Sequence, residues 1–315
     1  MNDGFTISEK VDTMPDGDTP YDIAGAMGKT MTKFSMIWKD HHPDLILALG
    51  DRYEMFAACF AALPYGRRIA HIHGGETTMG AIDDVFRHSI THAAQIHFAT
   101  TLAYADRIIQ LKGSSRNVFN VGALSIDNLK ALELLDIRQF RERFSIDLDI
   151  PTILITFHPE TVGFEKNEYY IDQLISSLEE IEGYQFLFTM PNSDTMGTMI
   201  RKKISDFVSN TAHAVSVESL GTIGYLSCMK HCAFLLGNTS SGFVEAAFFP
   251  KYVINLGERQ MGRITTPNIR NCSINKEDIF KAVSAYKHIE LPAAIDTYGN
   301  GTAAVQIVSI LKNTL

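Results

Sequence analysis

Residues Asp44–Glu54 read DLILALGDRYE. An apolar run without alternation ends at a glycine, and a charged cluster follows at once. Such a run fits a strand covered on both faces, as in a parallel sheet. The pattern recurs at Arg68–His73, Ile96–Thr100, Val118–Gly122, Thr152–His158, Tyr184–Pro191, Ala212–Val217, Phe234–Gly237 and Tyr252–Gly257. Helical patterns fill the gaps, among them Tyr53–Ala62, Asp83–Ala94 and Tyr170–Glu182. Strands alternating with helices make the chain α/β. The loop SIDLDIP at Ser145–Pro151 follows a helix around Ile137–Phe144 and divides the chain. Two Rossmann-like doubly wound domains are expected, 1–147 and 148–301, with a ligand cleft between them. The closing segment 302–315, helical over Thr302–Lys312, is expected to return to the first domain.

The 315 residues are 45% hydrophobic and 20% charged, a soluble globular balance, and carry a net charge of −8. A nucleic-acid binder would present a basic face, so nucleic acid is not an expected partner. No apolar run is long enough for a bilayer, and MNDGFTISEK lacks the basic start and apolar core of a signal peptide. A cytoplasmic protein without membrane contact is expected. Cys59, Cys228, Cys232 and Cys272 form no CxxC pair, which fits a reducing compartment. Cys228 and Cys232, with His231 beside them, lie in YLSCMKHCAFLLG and read as small packed hydrophobes. No metal and no cofactor is expected.

In open α/β sheets ligands bind beyond the carboxyl ends of the strands. Six strand ends here carry polar or ionisable clusters: Asp51–Glu54, His73–Glu76, His158–Glu160, Pro191–Asp194, Asn238–Gly242 and Glu258–Arg259. The turn GNTSSG leads into a helix, and its N–H groups with the hydroxyls of Thr239, Ser240 and Ser241 suit a phosphate, or simply cap the helix. It is neither a Walker motif nor GxGxxG. Glu245, flanked by Val244 and Ala246, suits a ribose diol or is a solvated helix residue. Arg259 and Arg263 suit a diphosphate or mark a surface loop. Asp51 beside Arg52 is either a working acid or a structural ion pair. Asp83 and Asp84 sit in a helix's first turn, where negative charge is favourable, and Asp83 is four residues from Arg87, a spacing that allows pairing. His158 reads as an acid, a phosphate donor or a packed histidine.

Taken together, GDRYE (50–54), HIHGGE (71–76), GAIDDVFRHSIT (80–91), FHPET (157–161), PNSD (191–194), GNTSSGFVEA (237–246) and INLGERQMGR (254–263) resemble the hydrolysing UDP-N-acetylglucosamine 2-epimerases of sialic-acid pathways and their relatives acting on UDP-diacetylbacillosamine. The resemblance covers nearly the whole chain from Asp44. GAIDDVFRHSIT stands where non-hydrolysing epimerases carry a Pro-Glu-Glu run. The resemblance implies a GT-B-like fold, a homodimer or tetramer, and a UDP-sugar held in the cleft. It also implies loss of the C2 proton and of UDP to give a 2-acetamidoglucal, then water addition to yield the free, C2-inverted sugar. By position, Asp51 and Asp83 match catalytic acids, Arg52 a substrate-contacting arginine, His158 a histidine near the diphosphate and Asn192 a UDP contact. Thr239 and Ser240 match the diphosphate-binding hydroxyls, with Asn238 and Ser241 beside them. Glu245 matches the ribose acid, and Arg259, with Arg263 beyond it, the UDP-site arginine.

Two departures stand out. Some relatives read HIEGGE with a catalytic first glutamate. Here that position is His73, and Glu76 matches the second, so the catalytic set is Asp51, Asp83, His73, Glu76 and His158. The family also opens with a strand and a GTRxDY-like turn. This chain offers a weak strand at Phe5–Lys10, the polar loop MPDGDTPYD and a helix over Ile23–Lys39, so the first domain reads as truncated. The rival functions are a glycosyltransferase of GT-B architecture and an inactive UDP-sugar-binding remnant.

Overall fold

A computed structural model describes residues 6–191, 196–286, 293 and 295–314. Strands β1 (Ile46–Leu49), β2 (Ile69–Ile72), β3 (Ile96–Ala99) and β4 (Val118–Asn120) form one parallel sheet in that order. Strands β5 (Thr152–Thr156), β6 (Gln185–Thr189), β7 (Ala214–Val217), β8 (Phe234–Gly237), β9 (Val253–Leu256) and β10 (Ile269–Cys272) form a second, ordered β10-β9-β8-β5-β6-β7 and wholly parallel. The second sheet is doubly wound, and its order reverses between β5 and β8, where the crevice of such a sheet opens. The first sheet steps in one direction only. Nine of the ten expected strands are present. β10 was not anticipated: IRNC is a mostly exposed edge segment with one buried apolar side chain. The expected strand at Phe5–Lys10 is not one, because Thr6–Lys10 is irregular.

Continuous apolar runs become fully buried strands at β2, β3, β5, β6, β8 and β9. The run at Asp44–Gly50 does not: β1 is an edge strand that buries Ala48 and leaves Leu47 and Leu49 exposed, contrary to the expectation that both its faces are covered. On the second sheet, Ile153, Ile155, Phe186 and Phe188 pack on one face and Leu154, Leu187 and Leu235 on the other. Each such side chain contributes roughly 1.5–3 kcal/mol of burial. The helices relevant to the site are α1 (Pro20–Asp40), α2 (Tyr53–Ala62), α3 (Asp83–Ala93) and α4 (Leu102–Lys112) on the first half, and α5 (Leu124–Ala131) after β4. α1 starts at a capping box formed by Thr19 and Asp22, three residues before the expected start. The last helix, Ala303–Thr314, packs Ala303 and Ile307 against Ile72, Ile96 and Phe98 of the first sheet. Asp127 on α5 receives its first N–H groups, at 3.0 Å from Ala303 and 2.7 Å from Ala304.

The two sheets are fastened through the loop after β2. Met79 N–H donates to Met261 O at 3.0 Å, and Ile82 N–H to Thr161 Oγ1 at 2.8 Å. Ile264 N–H reaches Tyr104 Oη at 3.1 Å. The approach leaves no room for a side chain at Gly80, where a Cβ would lie 2.5 Å from the Arg259 Cα.

Candidate active site

The carboxyl ends of both sheets face each other across a cleft. A cavity of about 150 Å³ is lined by Asp51, Arg52, Thr78, Asp83, Arg87, His158, Thr239, Ser240, Arg259, Gln260 and Arg263. Arg52, His158 and Thr239 are shared with a wider space of about 750 Å³, which Thr156, Thr189, Arg201, Tyr225 and Ser241 also border. The strand ends therefore bring together Asp51, Asp83, Arg52, His158, Thr239, Ser240, Ser241, Arg259 and Arg263. Asn192 lies outside the described residues.

On the first half, Gly50 adopts φ 77, a left-handed turn open to glycine, and puts Asp51 past the end of β1. His71 fixes that turn. Its Nε2 lies 2.8 Å from Gly50 O and its Nδ1 3.1 Å from Thr91 Oγ1. Burial lowers its pKa to about 4, so the ring is neutral, donating from Nε2 and accepting at Nδ1. Asp51 accepts from Arg87, one helical turn beyond Asp83. The sequence spacing suggested an Asp83–Arg87 pair along the helix, but Arg87 crosses to β1's end instead. Arg52 Nη2 lies 3.4 Å from Glu54 Oε1.

Four arginines, Arg52, Arg87, Arg259 and Arg263, line the small cavity. Burial, followed by the nearby Arg263, disfavours the charged form of Arg87. Asp51 offsets part of that strain, and a bound polyanion would offset more.

His73 and Glu76 lie one layer behind. His73 holds φ 67, an uncommon backbone state outside glycine. Its Nδ1 is 2.9 Å from Glu76 Oε1, which also accepts from Thr100 Oγ1 at 3.0 Å. Glu76 Oε2 accepts from Arg263 Nη1 at 2.6 Å. Burial alone would raise this carboxyl, but Arg263 and His73 outweigh it and hold the pKa at about 2. Both oxygens are occupied, so Glu76 is a fixed anion that orients Arg263 and His73. Neither His73 nor Glu76 borders the small cavity. Glu245 opens the short helix just beyond the Ser240–Gly242 turn. Burial pushes its carboxyl up, with Ser125 and, through space, His73 and Arg263 opposing.

On the second half, the switch point is built by Asn238. This residue is fully buried. Its Oδ1 accepts from His158 N–H at 2.7 Å and its Nδ2 donates to His158 O at 2.8 Å, locking the ends of β5 and β8 together. Gln260 Nε2 donates to Asn238 O at 2.9 Å, and Arg263 Nε to Gln260 Oε1 at 2.6 Å. Thr239 caps a short 3-10 turn at Ser240–Gly242, leaving hydroxyls at the cleft. Gln260, Arg87, Thr78 and Tyr225 were not singled out as site residues. Their only signal was position: each follows or flanks a motif, with its side-chain direction unstated by sequence.

The chain matches the UDP-N-acetylglucosamine 2-epimerase family over residues 1–312. It belongs to that family. It is 33% identical over 275 residues to the GDP/UDP-N,N'-diacetylbacillosamine 2-epimerase (hydrolyzing) of Campylobacter jejuni, covering 87% of this chain and 72% of that protein. It is 28% identical to the polysialic acid biosynthesis protein P7 of Escherichia coli, covering 99% of this chain and 80% of that one. Against the UDP-N,N'-diacetylbacillosamine 2-epimerase (hydrolyzing) of Legionella pneumophila it is 28% identical, with 94% and 80% covered. The crystal structure of the Neisseria meningitidis UDP-GlcNAc 2-epimerase bound to UDP-GlcNAc superposes with a TM-score of 0.83 at 19% identity, covering 98% and 86%. This 2-epimerase family member thus has the expected GT-B-like fold, and no described helix is long and apolar enough to cross a membrane.

Proposed function

We propose that the chain is a hydrolysing 2-epimerase that converts a UDP-2-acetamido sugar, UDP-GlcNAc or UDP-diacetylbacillosamine, to UDP and the free C2-inverted sugar. One observation carries the proposal: Asp51 and Asp83 line a single cavity with four arginines and the Thr239–Ser240 turn. Such a cavity pairs proton-moving carboxylates with an anion seat, and the hydrolysing relatives support the same reading.

In this reaction a carboxylate takes the C2 proton as the C1–O bond to UDP breaks, leaving a 2-acetamidoglucal. Water then adds its oxygen to C1, and a proton reaches C2 from the opposite face. Asp51 and Asp83 are the proposed proton carriers. Arg52, Arg259, Arg263, His158 and the hydroxyls of Thr239, Ser240 and Ser241 are proposed to hold the departing diphosphate. Asn192 is retained as a proposed UDP contact and Glu245 as a proposed ribose contact. His73, Glu76 and Asn238 are assigned to positioning. The proposal includes domains at 1–147 and 148–301 with 302–315 returning to the first, a homodimer or tetramer, a cytoplasmic place and a role of the sialic-acid type.

The test is UDP release from each sugar nucleotide with no acceptor present, alongside Asp51→Asn and Asp83→Asn. The proposal expects release by the unaltered chain and its loss in both variants, with UDP still bound. Release that needs an added acceptor would mean a glycosyltransferase, and UDP binding without release a binding remnant.

A further inference from the structure

A separate cavity of about 280 Å³ opens beside Asp83. It lies where the start of α1, the first turn of α3 and the loop after β5 meet. Its walls are Ile23, Ala24, Met27, Ile82, Phe86 and Phe164. Asp83 also lines the small arginine-rich cavity, and Tyr53, at another wall, lines the wide nucleotide cleft. Asp83 is thus a wall common to this cavity and the small one, and Tyr53 a wall common to this cavity and the wide one. The Thr161 hydroxyl, which borders the apolar cavity, already accepts from Ile82 N–H at 2.8 Å.

We infer that this cavity is a specificity subsite for the far edge of the sugar, and that it takes a 6-deoxy, 4-acylamino edge in preference to a 4,6-dihydroxy edge. The inference rests on the proposed function, which puts C1 and C2 at Asp51 and Asp83. With the diphosphate on the arginines, the ring's C4–C6 edge is placed towards Asp83, whose far side is a wall of the apolar cavity. A water occupies about 30 Å³, so the space holds several heavy atoms. Methyl carbons of a C6 methyl and a C4 acetyl group would bury against Ile23, Met27 and Phe86. A C6 hydroxyl would lose water among the same side chains for few new partners, at a cost of about tenfold in affinity.

The test compares binding by calorimetry and kcat/KM for UDP, UDP-GlcNAc and UDP-diacetylbacillosamine. The unaltered chain should favour the 6-deoxy, diacylated sugar about tenfold or more. Ala24→Leu fills the cavity from an exposed helical position that leucine tolerates. It should bring that preference close to one, with UDP affinity unchanged. Ile23→Ser makes the wall polar and should shift the ratio the same way. A ratio unmoved by both variants overturns the inference. An equal loss for both sugars also overturns it, since the cavity would then seat the C2 acyl group they share. If neither sugar is turned over, the proposed function fails while the ratio of dissociation constants still decides the subsite.

Discussion

Replacing Glu76 by Gln tests the buried latch between the two sheets. Glu76 is 2% exposed and its partner Arg263, from the other half, 9%. The carboxyl is held at about 2, against an ordinary 4.5. A depression of that size corresponds to about 3 kcal/mol of native-state stabilisation. Breaking a buried pair by removing one partner costs roughly 3–5 kcal/mol, which agrees. The sign follows from the lowered pKa: the contribution is complete above pH 4.5 and is lost as pH falls towards 2. Urea unfolding of both proteins at pH 7 should show a loss of about 3 kcal/mol in the variant. By pH 3 the gap should narrow by about 2 kcal/mol, because only the unfolded glutamate is then protonated. The loss belongs to whichever transition separates the two halves. A gap below about 1 kcal/mol at pH 7, or one that does not change with pH, would refute the reasoning.

Other outcomes follow from the same geometry. Asp83→Asn and Asp51→Asn should each lower kcat by about 10²–10⁴ with UDP affinity largely kept, and a variant within twofold of the parent would remove that residue from proton transfer. His71 is buried and neutral, with its pKa lowered from 6.5 to about 4. Its stabilisation is therefore present above pH 6.5 and declines as pH drops towards 4. His71→Asn should flatten that part of the stability–pH curve, and an unaltered curve would contradict the assignment. Gly80→Ala forces a Cβ to within 2.5 Å of the Arg259 backbone. It should cost about 2 kcal/mol or more by thermal melting, and a loss under about 0.5 would show that the loop gives way.

Much of this fold was legible because a parallel strand buried on both faces must be apolar throughout. The runs at 152–157 and 234–236 have no other sensible place, whereas the equally apolar run at 45–49 forms an edge strand with Leu47 and Leu49 exposed. β10 escaped notice because its edge position asks little of Arg270 and Asn271, which are exposed. The strand ends also marked the site, since polar clusters after apolar runs have to gather at one edge of the sheet. Side-chain direction was not legible. Nothing in GNTSSG separates Asn238, which turns inward to brace His158, from Thr239 and Ser240, which border the cleft. Nor does HIHGGE reveal that Glu76 turns back to Arg263, 187 residues on. Arg87 looked like an i,i+4 partner of Asp83, but Asp51 lies within its reach only once β1 and β2 pair.

The most direct test of the account is a proton NMR time course in D₂O with UDP-diacetylbacillosamine and UDP-GlcNAc, supplied separately and with no acceptor. The account predicts that UDP and a free, C2-inverted sugar appear together, with deuterium in place of hydrogen at C2. A released sugar that keeps its C2 hydrogen, or an epimer still joined to UDP, would contradict it.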